Sequence, residues 1–146
     1  MVRSQGNRRN ISEKSESAME KKICVIDTCI FIDHLRNYHP ALSFFDLMLG
    51  RKDILFSAIT EVELLQGNAN TVQEKREMLL KYLALWKKVP VDNPLTVLAG
   101  DISRKYNVAV PDAIIAATAI INNAVLITKN VKDFNKITNL NIKEPY

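Results

Sequence analysis

Apolar and polar positions fall into blocks along this chain, and each block has its own period. Residues 22–26 end in a short apolar run, the pattern of a strand buried on both faces. Asp27 stands where that run stops, and Ile30, Phe31 and Leu35 then recur at helical spacing. This reads as strand, carboxylate, helix. Pro40 suits the start of a second helix, with Phe44, Phe45, Leu47, Met48 and Leu49 as its apolar face and Gly50 as its stop. Residues 54–56 are a second buried strand, and residues 57–67 read as an N-cap, a short helix and a glycine stop. A loop at 68–71 leads into a longer amphipathic helix over 72–88, with Met78, Leu79, Tyr82, Leu83 and Trp86 on one side. Residues 89–91 are a brief strand, and Asn93-Pro94 opens a helix that Asn107 ends. Pro111 starts a helix rich in Ala and Ile, to about Asn123. Residues 124–127 are a further buried strand stopping at Thr128, residues 129–136 a polar turn around Phe134, and the segment with Ile142 and Pro145 an edge strand.

Strands and helices alternate, which predicts one small α/β domain: a mostly parallel central sheet flanked by helices, with right-handed crossovers. The 146 residues suffice for one core, and the 47% hydrophobic content is that of a globular chain. Residues 1–18 are polar and lack periodicity, so they are expected to be a disordered leader ahead of a domain at 19–146 that begins near Met19. No apolar run is long enough to span a bilayer and no signal-peptide core is present, which predicts a cytoplasmic protein with no membrane partner. Cys24 and Cys29 fit no metal-knuckle spacing and read as small core residues. The formal charge of +4 invites a nucleic-acid partner, but residues 1–22 carry +3 of it. The remainder is close to neutral, so charge alone does not argue for a partner.

Four acids sit where this topology brings segments to one edge of the sheet. Asp27 ends the first strand, Glu63 lies on the helix after the second, Asp112 is in the first turn of the Ala-rich helix, and Asp133 follows the last buried strand. Each also has a local reading. Asp27 can cap its helix. Thr60 and Glu63 match a capping box, although Ser57 is an equally good cap that would leave Glu63 mid-helix and free to enter a pocket. Asp112 suits a helix N-terminus, and Asp133 a solvated turn. Taken jointly, clustered carboxylates repel by about 4 kcal/mol per pair at 4 Å and an effective dielectric near 20. A fold holds them together only when protons or cations neutralise them. Hard oxygen donors suit Mg²⁺ or Mn²⁺, and no His or Cys lies at zinc spacing.

At these residues the chain resembles a known family. The stretch Val25-Ile26-Asp27-Thr28-Cys29-Ile30-Phe31-Ile32-Asp33-His34-Leu35-Arg36 is similar to the opening motif of PIN-domain ribonucleases, especially VapC-type toxins of bacterial toxin–antitoxin pairs. Ser57 to Thr60 with Glu63 to Gly67 resembles their second motif, Pro111-Asp112 to Ala119 the third, and Leu126 to Phe134 the fourth. The resemblance implies a Mg²⁺- or Mn²⁺-dependent endoribonuclease with metal-binding carboxylates at Asp27, Glu63, Asp112 and Asp133, and polar support from Thr28, Thr128 and Asn130. It further implies an RNA substrate, a VapB-like antitoxin and a homodimer. Arg36, Lys129 and Lys132 lie near the motif ends as candidate RNA contacts. Two positions depart from the pattern: Cys29 stands where an Asn often follows Asp-Thr, and Asn130 where an acid is frequent. Two other readings compete. A receiver-like phosphoacceptor module also has a strand-end Asp and a Lys after its last strand, here Lys129, but needs an acidic pair and an acceptor Asp where this chain offers Asp27-Thr28 and Asp92. A PIN-like scaffold that binds RNA without cutting it is the other, and acids at all four motifs count against it.

Overall fold

Cys24, Val25 and Ile26 are fully buried because they form the middle strand of the sheet, β1 (Cys24–Ile26). The computed structural model describes residues 22–146, and the expected leader at 1–18 lies outside the described residues. After β1 come α1 (Thr28–Leu35), α2 (His39–Met48), β2 (Ile54–Ser57), α3 (Ala58–Leu65), a 3₁₀ turn at Asn68–Thr71 and α4 (Gln73–Leu83). Then follow β3 (Lys87–Val89), α5 (Asn93–Tyr106), α6 (Val110–Ile121), β4 (Val125–Ile127), the one-turn α7 (Val131–Phe134) and β5 (Asn141–Lys143). The strands pair in the order β3-β2-β1-β4-β5, all parallel. Among the described residues no helix is long and apolar enough to cross a membrane.

The two-residue period of the strands splits the core into two layers. Val25, Leu55 and Leu126 pack with Leu95, Ala99 and Ile102 of α5 and with Ala113, Ala116 and Ala117 of α6. The Ala-rich stretch of α6 keeps its side chains short where the helix meets both α5 and the sheet. Cys24, Ile26, Ile54, Phe56 and Ile127 belong to the other layer, with Phe31, Phe44, Phe45, Leu79, Leu83 and Trp86. In that layer the His34 ring stacks between Phe45 and Tyr82, at centroid distances of 4.4 and 5.1 Å, and its Nδ1 shares a short hydrogen bond with the Tyr82 hydroxyl. Burial holds the His34 pKa below its ordinary value.

Several expected boundaries move. The helix expected over 72–88 ends at Leu83, and the strand expected at 89–91 begins at Lys87. Lys87 and Lys88 are both exposed on a strand that, among the described residues, pairs only with β2, so pairing outweighs the helical tolerance of lysine, and the charges suit the edge of the described sheet. Trp86 is core, as its stripe predicts, but Met78 is 64% exposed and stands apart from it. Leu35, expected on the apolar face of the first helix, is exposed too. Phe44 and Phe45, on the expected apolar face of the second helix, are buried. The polar turn at 129–136 contains the helical turn α7, and the edge strand near Ile142 is β5.

Candidate functional site

The chain leaves β1 toward β2 on one side, and β4 returns on the other. This makes the carboxyl ends of β1 and β4 the switch point of the sheet, where α/β folds open a crevice. Asp27 and Thr128 are the first residues past those two ends. The Asp27 backbone N–H donates to the Ile127 carbonyl at 2.9 Å, which ties the two strand ends together.

Asp27 is 5% exposed, and its local and functional readings coincide. Its Oδ1 accepts from the Thr28 backbone N–H at 2.8 Å, capping α1. Its Oδ2 accepts from the Thr128 hydroxyl at 2.7 Å and from the Cys29 thiol at 3.3 Å. Burial raises the Asp27 pKa, and these three donors oppose the shift. The Cys29 thiol is pushed up to about 12, by burial first and then by the Asp27 charge, so it stays a protonated donor. Cys29 therefore supplies the polar contact its position needs, at the longer reach of sulfur, and is not merely a small core residue.

Ser57, not Thr60, caps α3: its hydroxyl accepts from the Ile59 N–H. The capping box does not form. Thr60 is fully buried, and Glu63 lies mid-helix, pointing at the first turn of α1. There the Thr28 hydroxyl donates to Glu63 Oε1 at 2.8 Å, and the Thr60 hydroxyl lies 2.9 Å from Thr28 Oγ1. A hydroxyl has one proton to give, so the relay runs from Thr60 to Thr28 to Glu63. Thr60 was visible in the sequence only as a rival cap; its buried hydroxyl is a supporting group that spacing did not reveal.

Asp112 sits in the first turn of α6, as expected, with no hydrogen bond or ion pair among the described residues. Its pKa is raised to about 6, by partial burial first and then by the charges of Asp27, Glu63 and Asp133. The four acids thus share one electrostatic field. Asp133 is exposed and accepts from the Asn130 side chain at 3.0 Å, while the Asn130 backbone N–H donates to Thr128 Oγ1 at 2.9 Å. The ion pairs among the described residues join Arg51 to Asp53, Lys88 to Glu61, Arg104 to Asp101 and Lys129 to Asp33, so none neutralises the four acids.

Among the described residues no three Asp, Glu, His or Cys side chains stand close enough to form a metal centre by themselves. The donor set is nevertheless all oxygen, and among the described residues no cation pairs with it. That chemistry suits a hard divalent ion held through one or two carboxylates with water completing its shell. The raised Asp112 pKa has a consequence for stability. A carboxyl that binds its proton more tightly when folded stabilises the fold fully below its ordinary value of 3.8, and that contribution is lost as pH rises through about 6. Urea unfolding of metal-free protein is expected to show this loss across that window, and Asp112→Asn to flatten it.

The three candidate RNA contacts diverge. Arg36 lines a groove of about 820 Å³ that also takes in Glu63, Lys75 and Met78. Lys132 is exposed beside Asp133. The Lys129 ammonium turns to Asp33. Asp92, the acceptor a receiver module would need, instead caps α5 beyond the edge strand β3 by accepting from the Leu95 N–H.

The PIN domain family model matches residues 24–140. Ribonuclease VapC19 of Mycobacterium tuberculosis is 31% identical over 129 residues, covering 84% of this chain and 98% of that protein. Among solved structures, a toxin–antitoxin complex from Klebsiella pneumoniae superposes with a TM-score of 0.69 at 28% identity, covering 84% of this chain and 98% of that one. VapBC2 from Rickettsia felis, bound to a DNA fragment from its promoter, gives a TM-score of 0.70 at 22% identity over 82% of this chain and 96% of that one, a likeness of fold. With the family model spanning most of the described residues and a VapC relative aligned almost end to end, this chain belongs to the PIN domain family, in its VapC-type branch.

Proposed function

We propose that this chain is a Mg²⁺- or Mn²⁺-dependent endoribonuclease, the toxin of a VapBC-type toxin–antitoxin pair. The observation that carries the reading is that Asp27, Glu63, Asp112 and Asp133 come from four separate segments around the switch point, with no ion pair among the described residues to balance them. Its likeness to a VapC ribonuclease and to the Klebsiella toxin–antitoxin complex supports it.

Asp27, Glu63 and Asp112 would hold the ion, with Asp133 at the rim. When bound, a divalent ion supplies charge stabilisation on a phosphodiester and a water acidic enough to attack it. The chain's own residues do the positioning. Thr128 and Cys29 fix Oδ2 of Asp27, and the Thr28 N–H fixes Oδ1. The Thr60–Thr28 relay fixes Glu63. Asn130 braces Thr128 through its backbone and Asp133 through its side chain. No covalent intermediate is needed, and the Cys29 thiol stays protonated as a donor to Asp27.

The groove beside Glu63 is where a VapB-like antitoxin would lie. Its walls include Ile32, Leu35, Leu64, Met78 and Leu79, which suit an apolar segment, and Glu63, also in its lining, would pair with a basic side chain. A homodimer belongs to the same reading, and the exposed Val97 and Val110 offer apolar surface for a second copy. The purified chain is expected to cut single-stranded or looped RNA in Mg²⁺ or Mn²⁺, leaving 5′-phosphate and 3′-hydroxyl ends, and to stop when EDTA is added. End-sequencing of the products checks this, and cleavage that persists in EDTA would overturn it.

A further inference from the structure

Lys129 follows Thr128 of the acid pocket directly in sequence, yet the carboxylate its ammonium pairs with is Asp33, outside the four acids. Its neighbour Thr128 donates to Asp27, and the Asn130 backbone N–H donates to Thr128 Oγ1, so both residues that flank Lys129 are held at the pocket. A flexible four-carbon stem from that point could carry an ammonium back over Asp27. Instead Nζ lies 3.4 Å from Asp33 Oδ2, 5.0 Å from the Tyr38 ring centroid and 5.1 Å from the Tyr146 ring centroid. The Tyr146 hydroxyl donates to the same Oδ2 at 2.8 Å and so fixes the carboxylate that holds the lysine. Two ring faces and one carboxylate together form a cage for a single cation.

The cage faces a competitor. Four acids with no ion-pair partner among the described residues attract an ammonium more strongly than one carboxylate does, and a lysine among them would neutralise the site and fill the place of a metal ion. We propose that Asp33, with Tyr38 and Tyr146, is a positioning device that holds the Lys129 ammonium out of the acid pocket and so keeps the pocket open to a divalent cation. The proposal rests on the metal-dependent reading above. It assigns Asp33 a role although Asp33 lies outside the four-acid set, and it makes Lys129 an internal rival of the metal rather than a contact for RNA.

The test is a calorimetric titration of Mn²⁺ alone into the metal-free full chain, with no RNA present. The Asp33→Asn variant is expected to bind Mn²⁺ about tenfold more weakly, because the released lysine occupies the pocket most of the time. Adding Lys129→Met to that variant is expected to bring affinity back to within about twofold of the parent chain. A general loosening of the fold by Asp33→Asn would not be rescued in this way. Parental affinity in Asp33→Asn would overturn the proposal, and so would equal weakness in the double variant. A parent chain that binds no Mn²⁺ would overturn the metal-dependent reading itself and this proposal with it.

Discussion

An Asp27→Asn variant is expected to keep its fold and to lose roughly 10³-fold in metal-dependent RNA cleavage, the rate equivalent of several kcal/mol of transition-state stabilisation. The fold survives because the amide can reproduce the local contacts. Its oxygen can still accept from the Thr28 N–H that caps α1, and its NH₂ faces Thr128 Oγ1, a hydroxyl able to turn and accept. What the variant cannot reproduce is charge. Asp27 is the most enclosed of the four acids, so its negative charge is screened least by water. Removing that charge also removes one of the three neighbours that raise the Asp112 pKa, which should fall. Circular dichroism and thermal unfolding would establish that the fold is intact, and a cleavage assay over a range of Mg²⁺ concentrations would measure the loss. Undiminished cleavage would remove Asp27 from the site.

Phe31→Ala is expected to destabilise the protein by about 3–5 kcal/mol, through lost transfer energy and the cavity left behind. For a domain of this size that lowers Tm by roughly 10–20 °C. Phe31 is fully buried at the hub of the aromatic layer. Its ring lies 5.4 Å from Phe45, 5.7 Å from Phe56, 5.8 Å from Trp86 and 6.1 Å from Tyr82, three of the four at steep edge-to-face angles. Those partners come from α2, β2, α4 and the turn before β3, so one truncation loosens four segments. Phe31 also anchors α1, whose first turn carries Thr28 and begins at Asp27, so cleavage should fall along with stability. Leu47→Ala provides the contrast: Leu47 is 67% exposed on α2 and its loss should be nearly neutral. Urea unfolding of both variants measures the difference.

The sequence was informative where the physics is local. Ile54 to Phe56 and Val125 to Ile127 form short buried strands whose apolar runs leave no other reading, and Pro94, Asn107 and Pro111 mark the limits of α5 and the start of α6. Local signals failed where two readings had equal local merit. Lys87 and Lys88 suit a helix end as well as an edge strand, and only the hydrogen bonds offered by β2 select the strand. Ser57 and Thr60 are equivalent caps on paper. The burial of Thr60 against Thr28, brought there by the parallel pairing of β1 and β2, decides between them.

The four motif acids and their order along the chain were legible from residue type and spacing alone, because strand ends and helix starts are set by runs of neighbouring residues. Their shared field, the turn of Lys129 toward Asp33 and Tyr146, and the role of Thr60 were settled only by the fold. Those contacts join residues from 17 to 113 positions apart. Such pairs have no local energy to read: whether they meet depends on the order and direction of strands across the sheet, a property of the packed chain as a whole.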